Sequence, residues 1–140
     1  GVMAYGSLAH GVLTGTFAVD PKFEDDDWRK PGYAFGLPLF HSDFLADTLE
    51  AVDEVTSAAH TADLTTAQLA LRWVLNEPAI STALVGFRNS DEVDLAVSAV
   101  EVSLPAGVMD GANAATLDAY RRLHAAEQPQ DSIGPRRRTN

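Results

Sequence analysis

Apolar residues in this chain fall into two short runs and four longer periodic stretches. The runs cover residues 2–5 and 80–85, and a glycine follows each. Short apolar runs bounded by turn signals are typical of buried strands, so we predict two parallel strands here. Residues 9–36 carry glycines, prolines and an acidic run instead, which predicts a long irregular loop.

The four periodic stretches place apolar residues at the three- and four-residue spacing of amphipathic helices. Thr65 and Gln68 fit the two positions of a capping box before the second helix, and Asn89 with Glu92 caps the third. The predicted helices run from about 43 to 60, from 66 to 75, from Asn89 through Val93, Ala96, Val97 and Val100, and from about 105 to 124.

Strand, helices, strand and helix in this order give a βαβα pattern, which predicts an α/β fold with a parallel sheet covered by helices. Two strands cannot complete such a sheet, because both would keep open edges and uncovered faces. The chain also starts at Gly1 and enters an apolar run at once. We therefore expect a fragment of a larger fold, with marginal stability and self-association through its open sheet edges.

Composition excludes several kinds of function. The 140 residues include no cysteine, which rules out disulfides and thiolate metal sites, and the four histidines show no metal-ligand spacing, so we expect no metal. A net charge of −10 argues against nucleic acid or an anionic membrane as a partner, and no apolar run is long enough to span a bilayer. These features favour a soluble, cytoplasmic protein. The basic run Arg136–Arg138 lies in a polar stretch, 128–140, which we predict to be a flexible tail.

The segment from Ser81 to Glu92 reads as a strand, a glycine turn with an arginine, and a capped helix start. The first N–H groups of a helix and the positive end of its dipole attract anions. Arg88 adds a permanently charged planar fork that suits phosphate. On the residues alone, Arg88 is equally well explained as a solvated residue at the start of a helix.

Three segments resemble the C-terminal part of aldo-keto reductases. Residues 2–15 are similar to that family's seventh strand, which ends in an aromatic residue and runs into a Gly-x-Leu-Thr-Gly motif. Residues 66–75 look like its seventh helix, and residues 83–93 look like its eighth strand and the cofactor loop that follows. The resemblance implies the C-terminal part of a (β/α)8 TIM barrel at residues 1–127, with parallel strands and covering helices. In such barrels a phosphate site frequently lies in the loops after strands seven and eight.

The same resemblance implies reversible reduction of aldehydes and ketones with NADPH. Tyr5 matches the aromatic residue that stacks on the nicotinamide ring, and Glu92 lies where the family approaches adenine. Two loops match the remaining cofactor contacts: Gly6, Ser7 and Leu8 over the pyrophosphate, and Gly86, Phe87, Arg88 and Asn89 at the 2′-phosphate and ribose. A small carbonyl compound would be the substrate of the full-length parent.

The chain departs from the family pattern in places. Gly6 stands where a serine is commoner, so backbone N–H groups would hold the pyrophosphate without that hydroxyl. Leu95 and Ala96 replace the glutamate and asparagine that contact adenine in many members. The family's proton-donating tyrosine and its lysine, aspartate and histidine partners fall in the part of the barrel that the resemblance does not cover. We therefore assign no catalytic residue to this chain and expect it to be inactive alone.

Two other interpretations stay open. A non-catalytic barrel that binds a nicotinamide cofactor and serves as a regulatory or interaction subunit would carry the same loops. An unrelated flavodoxin-like βαβα module would make the motifs coincidental. Trp28, in the long loop, is open to two roles, lining the substrate entrance or packing within the loop.

Overall fold

A computed structural model describes residues 1–34 and 36–125. The tail predicted at 128–140, with Arg136–Arg138, lies outside the described residues. The elements in chain order are strand β1 at Val2–Ala4, a 3₁₀ turn at Ala9–Thr14, helices α1 at Ser42–His60 and α2 at Thr66–Leu75, strand β2 at Ile80–Ala83, and helices α3 at Ser90–Glu101 and α4 at Val108–Ala125. None of the helices in this part of the chain is long and apolar enough to cross a membrane.

The two strands pair in parallel, as predicted. Ala4 lies opposite Ala83, and Leu84 N donates a hydrogen bond to Ala4 O at 2.7 Å. The prediction that both strands are buried is wrong: Met3 is 69% exposed, and no residue of either strand is buried. The sheet has only two strands among the described residues, and α2 packs on β2. Much of the sheet surface is therefore left uncovered.

Local sequence accounts for the starts of the helices. Thr65 Oγ1 accepts a hydrogen bond from Gln68 N, and Gln68 Oε1 accepts one from Thr65 N, so the predicted capping box is present. Asn89 Oδ1 likewise accepts a hydrogen bond from Glu92 N at 3.0 Å. Helix α1 begins after His41, whose ring nitrogen accepts a hydrogen bond from the backbone N–H two residues later. The spacing of apolar residues does not reveal that cap.

Helices α1, α2 and α4 enclose the larger hydrophobic core. Its buried members are Val55 and Ala59 of α1, Leu64, Leu69 of α2, and Val108, Ala112 and Ala115 of α4. Trp73 of α2 also donates from Nε1 to Asn113 Oδ1 of α4. Burying each large aliphatic side chain contributes roughly 1.5–3 kcal/mol, so this three-helix contact stabilises the chain.

Residues 15–33 contain no helix or strand, which confirms the predicted irregular loop there, but the segment 9–36 still packs on the rest of the chain. It contains the 3₁₀ turn, and a second core forms where it packs on α1, with Val12, Ala34, Phe40 and Val52 buried together. The ring of Trp28 packs edge-on against the ring of His10, with centroids 4.5 Å apart, which supports the packing role for the tryptophan. Burial lowers the pKa of His10, and the positive charge of Arg29 adds to that effect.

Helix α3 packs on α2 through a face that its valines do not occupy. Val93, Val97 and Val100 are exposed, although their spacing predicts a buried stripe. Ala99 is fully buried instead, and Ser98 Oγ accepts a hydrogen bond from Gln68 Nε2 of α2. The main contact of α3 is with α2, and the three valines stay exposed among the described residues.

Candidate functional site

Parallel pairing of the strands brings the two predicted loops to one edge of the sheet. Ala4 ends β1 opposite Ala83, which ends β2, so the chain leaves both strands on the same side. Tyr5 opens the first loop and is 68% exposed, and Gly86 lies three residues beyond β2. Parallel α/β folds bind their ligands at the carboxyl ends of strands. The residues selected from the sequence therefore flank one candidate site.

The loop after β1 has an unusual backbone. Gly6 and Gly11 have φ angles of 69° and 101°, and Ala9 and His10 have φ angles of 46° and 57°. This left-handed region is costly for residues with a Cβ atom, and residues held in it cluster at functional sites. Ala9 N donates to Gly6 O at 2.8 Å, and Gly11 N donates to Leu8 O at 3.0 Å. These bonds hold the loop in one conformation.

Ser7 and Leu8 retain hydrogen-bonding capacity in the same loop. Ser7 is 8% exposed, and its Oγ has no hydrogen-bond partner within the described part of the chain. It lines a cavity of about 350 Å³ together with Tyr5, Gly6 and apolar side chains of α2 and α4. The backbone N–H groups of Ser7 and Leu8 also donate to no acceptor in residues 1–34 and 36–125. Two such donors beside the strand ends can receive an anion.

The loop after β2 leaves room for a ligand. A Cβ atom at Gly86 would meet no atom within 4 Å among the described residues, and Phe87 is exposed. Asn89 then begins α3 as its N-cap, and the acidic Asp91 and Glu92 follow in the first turn. The open backbone and the helix N-terminus therefore lie next to each other at the edge of the sheet.

Arg88 and Glu92 form an ion pair across the start of α3. Arg88 Nη2 lies 2.6 Å from Glu92 Oε1, and Arg88 Nε donates to the same oxygen at 2.8 Å. The other oxygen, Glu92 Oε2, accepts from Arg88 N at 2.8 Å. The Arg88 side chain is 85% exposed, whereas that of Glu92 is 30% exposed. The side-chain hydrogen bond from Arg88, then its backbone hydrogen bond, lowers the pKa of Glu92, so the carboxylate is charged at neutral pH.

This ion pair revises what the sequence predicts for Glu92. The capping pattern is half correct: Asn89 caps the helix, but the Glu92 carboxylate turns to Arg88. The four-residue spacing between Arg88 and Glu92 is a local signal for an ion pair, although Arg88 itself lies before the N-cap of α3. Arg88, the residue predicted to bind a phosphate, is therefore already paired with a carboxylate of this chain.

Comparison with known proteins narrows the interpretations that the residues leave open. The Aldo/keto reductase family matches the chain over residues 1–115. This chain belongs to the aldo-keto reductase family. A flavodoxin-like module with coincidental motifs is thereby excluded.

Two relatives show how much of a longer family member this chain covers. It is 33% identical over 93 residues to the aldo-keto reductase YhdN of Bacillus subtilis (strain 168), covering 66% of this chain and 27% of YhdN. It is similar, with a TM-score of 0.70 and 27% identity, to the glycerol dehydrogenase AKR11B4 from Gluconobacter oxydans, covering 94% of this chain and 37% of that one. The chain thus spans well under half the length of either relative. Its parallel strands and helices form an α/β arrangement similar to that of an aldo-keto reductase.

Proposed function

We propose that this chain is the C-terminal, cofactor-holding part of a (β/α)8 aldo-keto reductase that uses NADPH to reduce small aldehydes or ketones to alcohols. The observation that carries the proposal is the parallel register of β1 and β2, which sets the two family-matched loops side by side. The glycerol dehydrogenase relative supports the substrate class, because oxidation of an alcohol is the reverse of carbonyl reduction. We further propose that the parent protein works in the cytoplasm.

The groups at this edge fit a dinucleotide with several phosphates. Ser7 and Leu8 offer unpaired backbone N–H groups to the pyrophosphate, and the buried Ser7 hydroxyl adds an unused donor beneath them. Arg88 offers a guanidinium to the 2′-phosphate next to the N-terminus of α3. Tyr5 offers an exposed ring to the flat nicotinamide. When bound, the cofactor supplies the hydride.

In this proposal the chain's own residues bind and orient. Tyr5 would hold the nicotinamide ring, and the loop from Gly6 to Leu8, whose Gly6 and Leu8 carbonyls accept hydrogen bonds from Ala9 N and Gly11 N, would hold the phosphates. We assign no proton-transfer role to any residue of this chain. The acid that protonates the carbonyl oxygen is assigned to the remainder of the family's barrel.

Binding measurements with two cofactors test this proposal. Arg88→Ala should weaken NADPH by about tenfold or more, because a charge-assisted hydrogen bond to phosphate is lost, and should change NADH by less than about twofold. Arg121→Ala is the matched control, since it removes the same charge from the exposed surface of α4. Calorimetric titration of the 140-residue chain gives both dissociation constants. Equal weakening of the two cofactors would contradict the role of Arg88 at the 2′-phosphate.

A further inference from the structure

The guanidinium of Arg88 is bonded to the carboxylate of Glu92, in the first turn of the helix that follows it. Its Nε and Nη2 both point to Glu92 Oε1, at 2.8 and 2.6 Å, while Glu92 Oε2 holds the backbone N–H of Arg88 at 2.8 Å. One edge of the guanidinium fork and one N–H group beside the helix N-terminus are therefore occupied by an anion from within the chain. A guanidinium carries five N–H donors, so the edge that faces away from Glu92 keeps donors for a ligand.

This arrangement matters for a ligand with a 2′-phosphate. A phosphate that approaches the open edge of Arg88 meets an ion pair of net charge zero, with the Glu92 carboxylate bonded to the opposite edge. Phosphate monoesters carry nearly two negative charges at neutral pH, so the carboxylate repels them while the guanidinium attracts them. Binding must then either displace Glu92 from Arg88 or proceed against that repulsion.

A ribose with a free 2′-hydroxyl meets the opposite situation. A hydroxyl is a donor as well as an acceptor, and an acidic side chain that accepts from the ribose 2′-hydroxyl is the usual feature of NAD sites in dinucleotide-binding folds, where arginine accommodates the 2′-phosphate of NADP. The ion pair of Arg88 and Glu92 contains both an arginine that suits a 2′-phosphate and a carboxylate that suits a 2′-hydroxyl. The Glu92 side chain is 30% exposed, so the carboxylate can be reached from solvent.

We propose that Glu92 is a specificity-determining residue that competes with the 2′-phosphate for Arg88, so that the site accepts NADH as well as NADPH. The inference rests on the proposed function, because it concerns the adenosine end of the same cofactor site. Glu92 acts through Arg88 and is in that sense a positioning residue. The depressed pKa of the carboxyl supports this role, since Glu92 is then ionised across the pH range in which nicotinamide cofactors are bound.

Two nucleotides isolate this end of the cofactor: adenosine 2′,5′-bisphosphate, which carries the 2′-phosphate, and adenosine 5′-monophosphate, which lacks it. The affinity ratio of the first to the second is measured by calorimetry for the 140-residue chain and for Glu92→Gln. We expect Glu92→Gln to raise that ratio by about tenfold, since a like charge close to the phosphate is removed. Asp91→Asn, which removes the same charge one position earlier in the helix, should change the ratio by less than about twofold.

The outcomes separate the inference from the proposed function. A ratio that stays constant or falls in Glu92→Gln overturns the inference, because the carboxylate then supports Arg88 and does not compete with the phosphate. Glu92→Ala also removes the carboxylate and should raise the same affinity ratio. Circular dichroism checks that each variant keeps its helices. If the wild-type chain keeps its helices by circular dichroism and yet binds neither nucleotide, the proposed function fails and the inference fails with it. If Arg88→Ala leaves the ratio unchanged, the assignment of Arg88 to the phosphate fails.

Discussion

Gln68 donates a hydrogen bond from Nε2 to Ser98 Oγ at 2.8 Å, and this bond joins α2 to α3. The same Gln68 side chain accepts a hydrogen bond from Thr65 N at 2.9 Å as part of the capping box. The Gln68 side chain thus caps the N-terminus of α2 and also contacts α3. Since α3 carries Glu92 in its first turn and Arg88 lies just before its N-cap, the bond helps to place the candidate phosphate site relative to the rest of the chain.

Removal of that link should cost stability. Ser98→Ala leaves the half-buried Gln68 Nε2 without its partner, and we expect the free energy of unfolding to fall by about 1 kcal/mol. Urea unfolding followed by circular dichroism measures the change. Ser57→Ala is the matched control, because the Ser57 hydroxyl bonds only to its own helix at an exposed position. Similar losses for the two variants would show that the bond between α2 and α3 contributes nothing specific.

Gly15 should resist substitution more strongly than Gly11. Both have positive φ angles, 74° and 101°, so an alanine is strained at either position. A Cβ at Gly15 would also lie 2.6 Å from Thr66 Oγ1, which is bonded to Thr56 Oγ1 at 2.8 Å, whereas a Cβ at Gly11 meets nothing within 4 Å. We expect Gly15→Ala to cost about 1 kcal/mol or more beyond Gly11→Ala in urea unfolding. The reverse order would mean that Thr66 moves aside easily.

Much of the fold could be predicted because its signals are local. The capping box at Thr65 and Gln68 and the cap at Asn89 depend on residues three apart, so the sequence contains them in full. The parallel pairing of the strands follows from the order of elements along the chain. The two loops proposed to hold the cofactor resemble a family motif, and the parallel pairing of the strands places them at one edge of the sheet.

What could not be predicted depends on partners distant in sequence. The exposure of Val97 and Met3 is set by which element packs against them, and apolar character alone does not say that. The packing of segment 9–36 depends on Phe40 and on Val52 of α1, which are buried together with Val12 of the 3₁₀ turn. The ion pair of Arg88 with Glu92 had a local signal, but that signal competed with a second local pattern, the capping box. Sequence spacing alone did not decide between the two.

The exposed strand β1 should promote self-association of the chain. Met3 lies on β1 at 69% exposure, next to an edge that has no paired strand among the described residues. Exposed apolar strand edges are templates for pairing with another chain, and a lysine on such an edge opposes it. We expect Met3→Lys to lower the weight-average mass in sedimentation equilibrium. Val19→Lys, on an exposed position of the long loop, should leave the mass unchanged, and an equal effect of both variants would indicate a general charge effect.

The pair of Asp27 and Arg29 should make the stability of the long loop depend on pH. Asp27 Oδ1 accepts hydrogen bonds from Arg29 Nε at 3.0 Å and from Arg29 N at 2.9 Å. These bonds, the side-chain one first, lower the pKa of Asp27 to about 2, below its value of about 3.9 in an unfolded chain. Between those two values the unfolded state binds more protons than the folded state, so stability rises with pH.

The contribution of Asp27 is therefore complete above about pH 5 and is lost as the pH falls towards 2. Asp27→Asn should be less stable than the wild type at pH 6, and the gap in urea midpoint should close steadily as the pH is lowered through this range. Asp26→Asn removes the same charge one residue away and leaves the pair of Asp27 with Arg29 intact. Its urea midpoint should therefore differ little from that of the wild type, and the difference should not change with pH. A gap for Asp27→Asn that does not change with pH would mean that its hydrogen bonds to Arg29 are not what stabilises the loop.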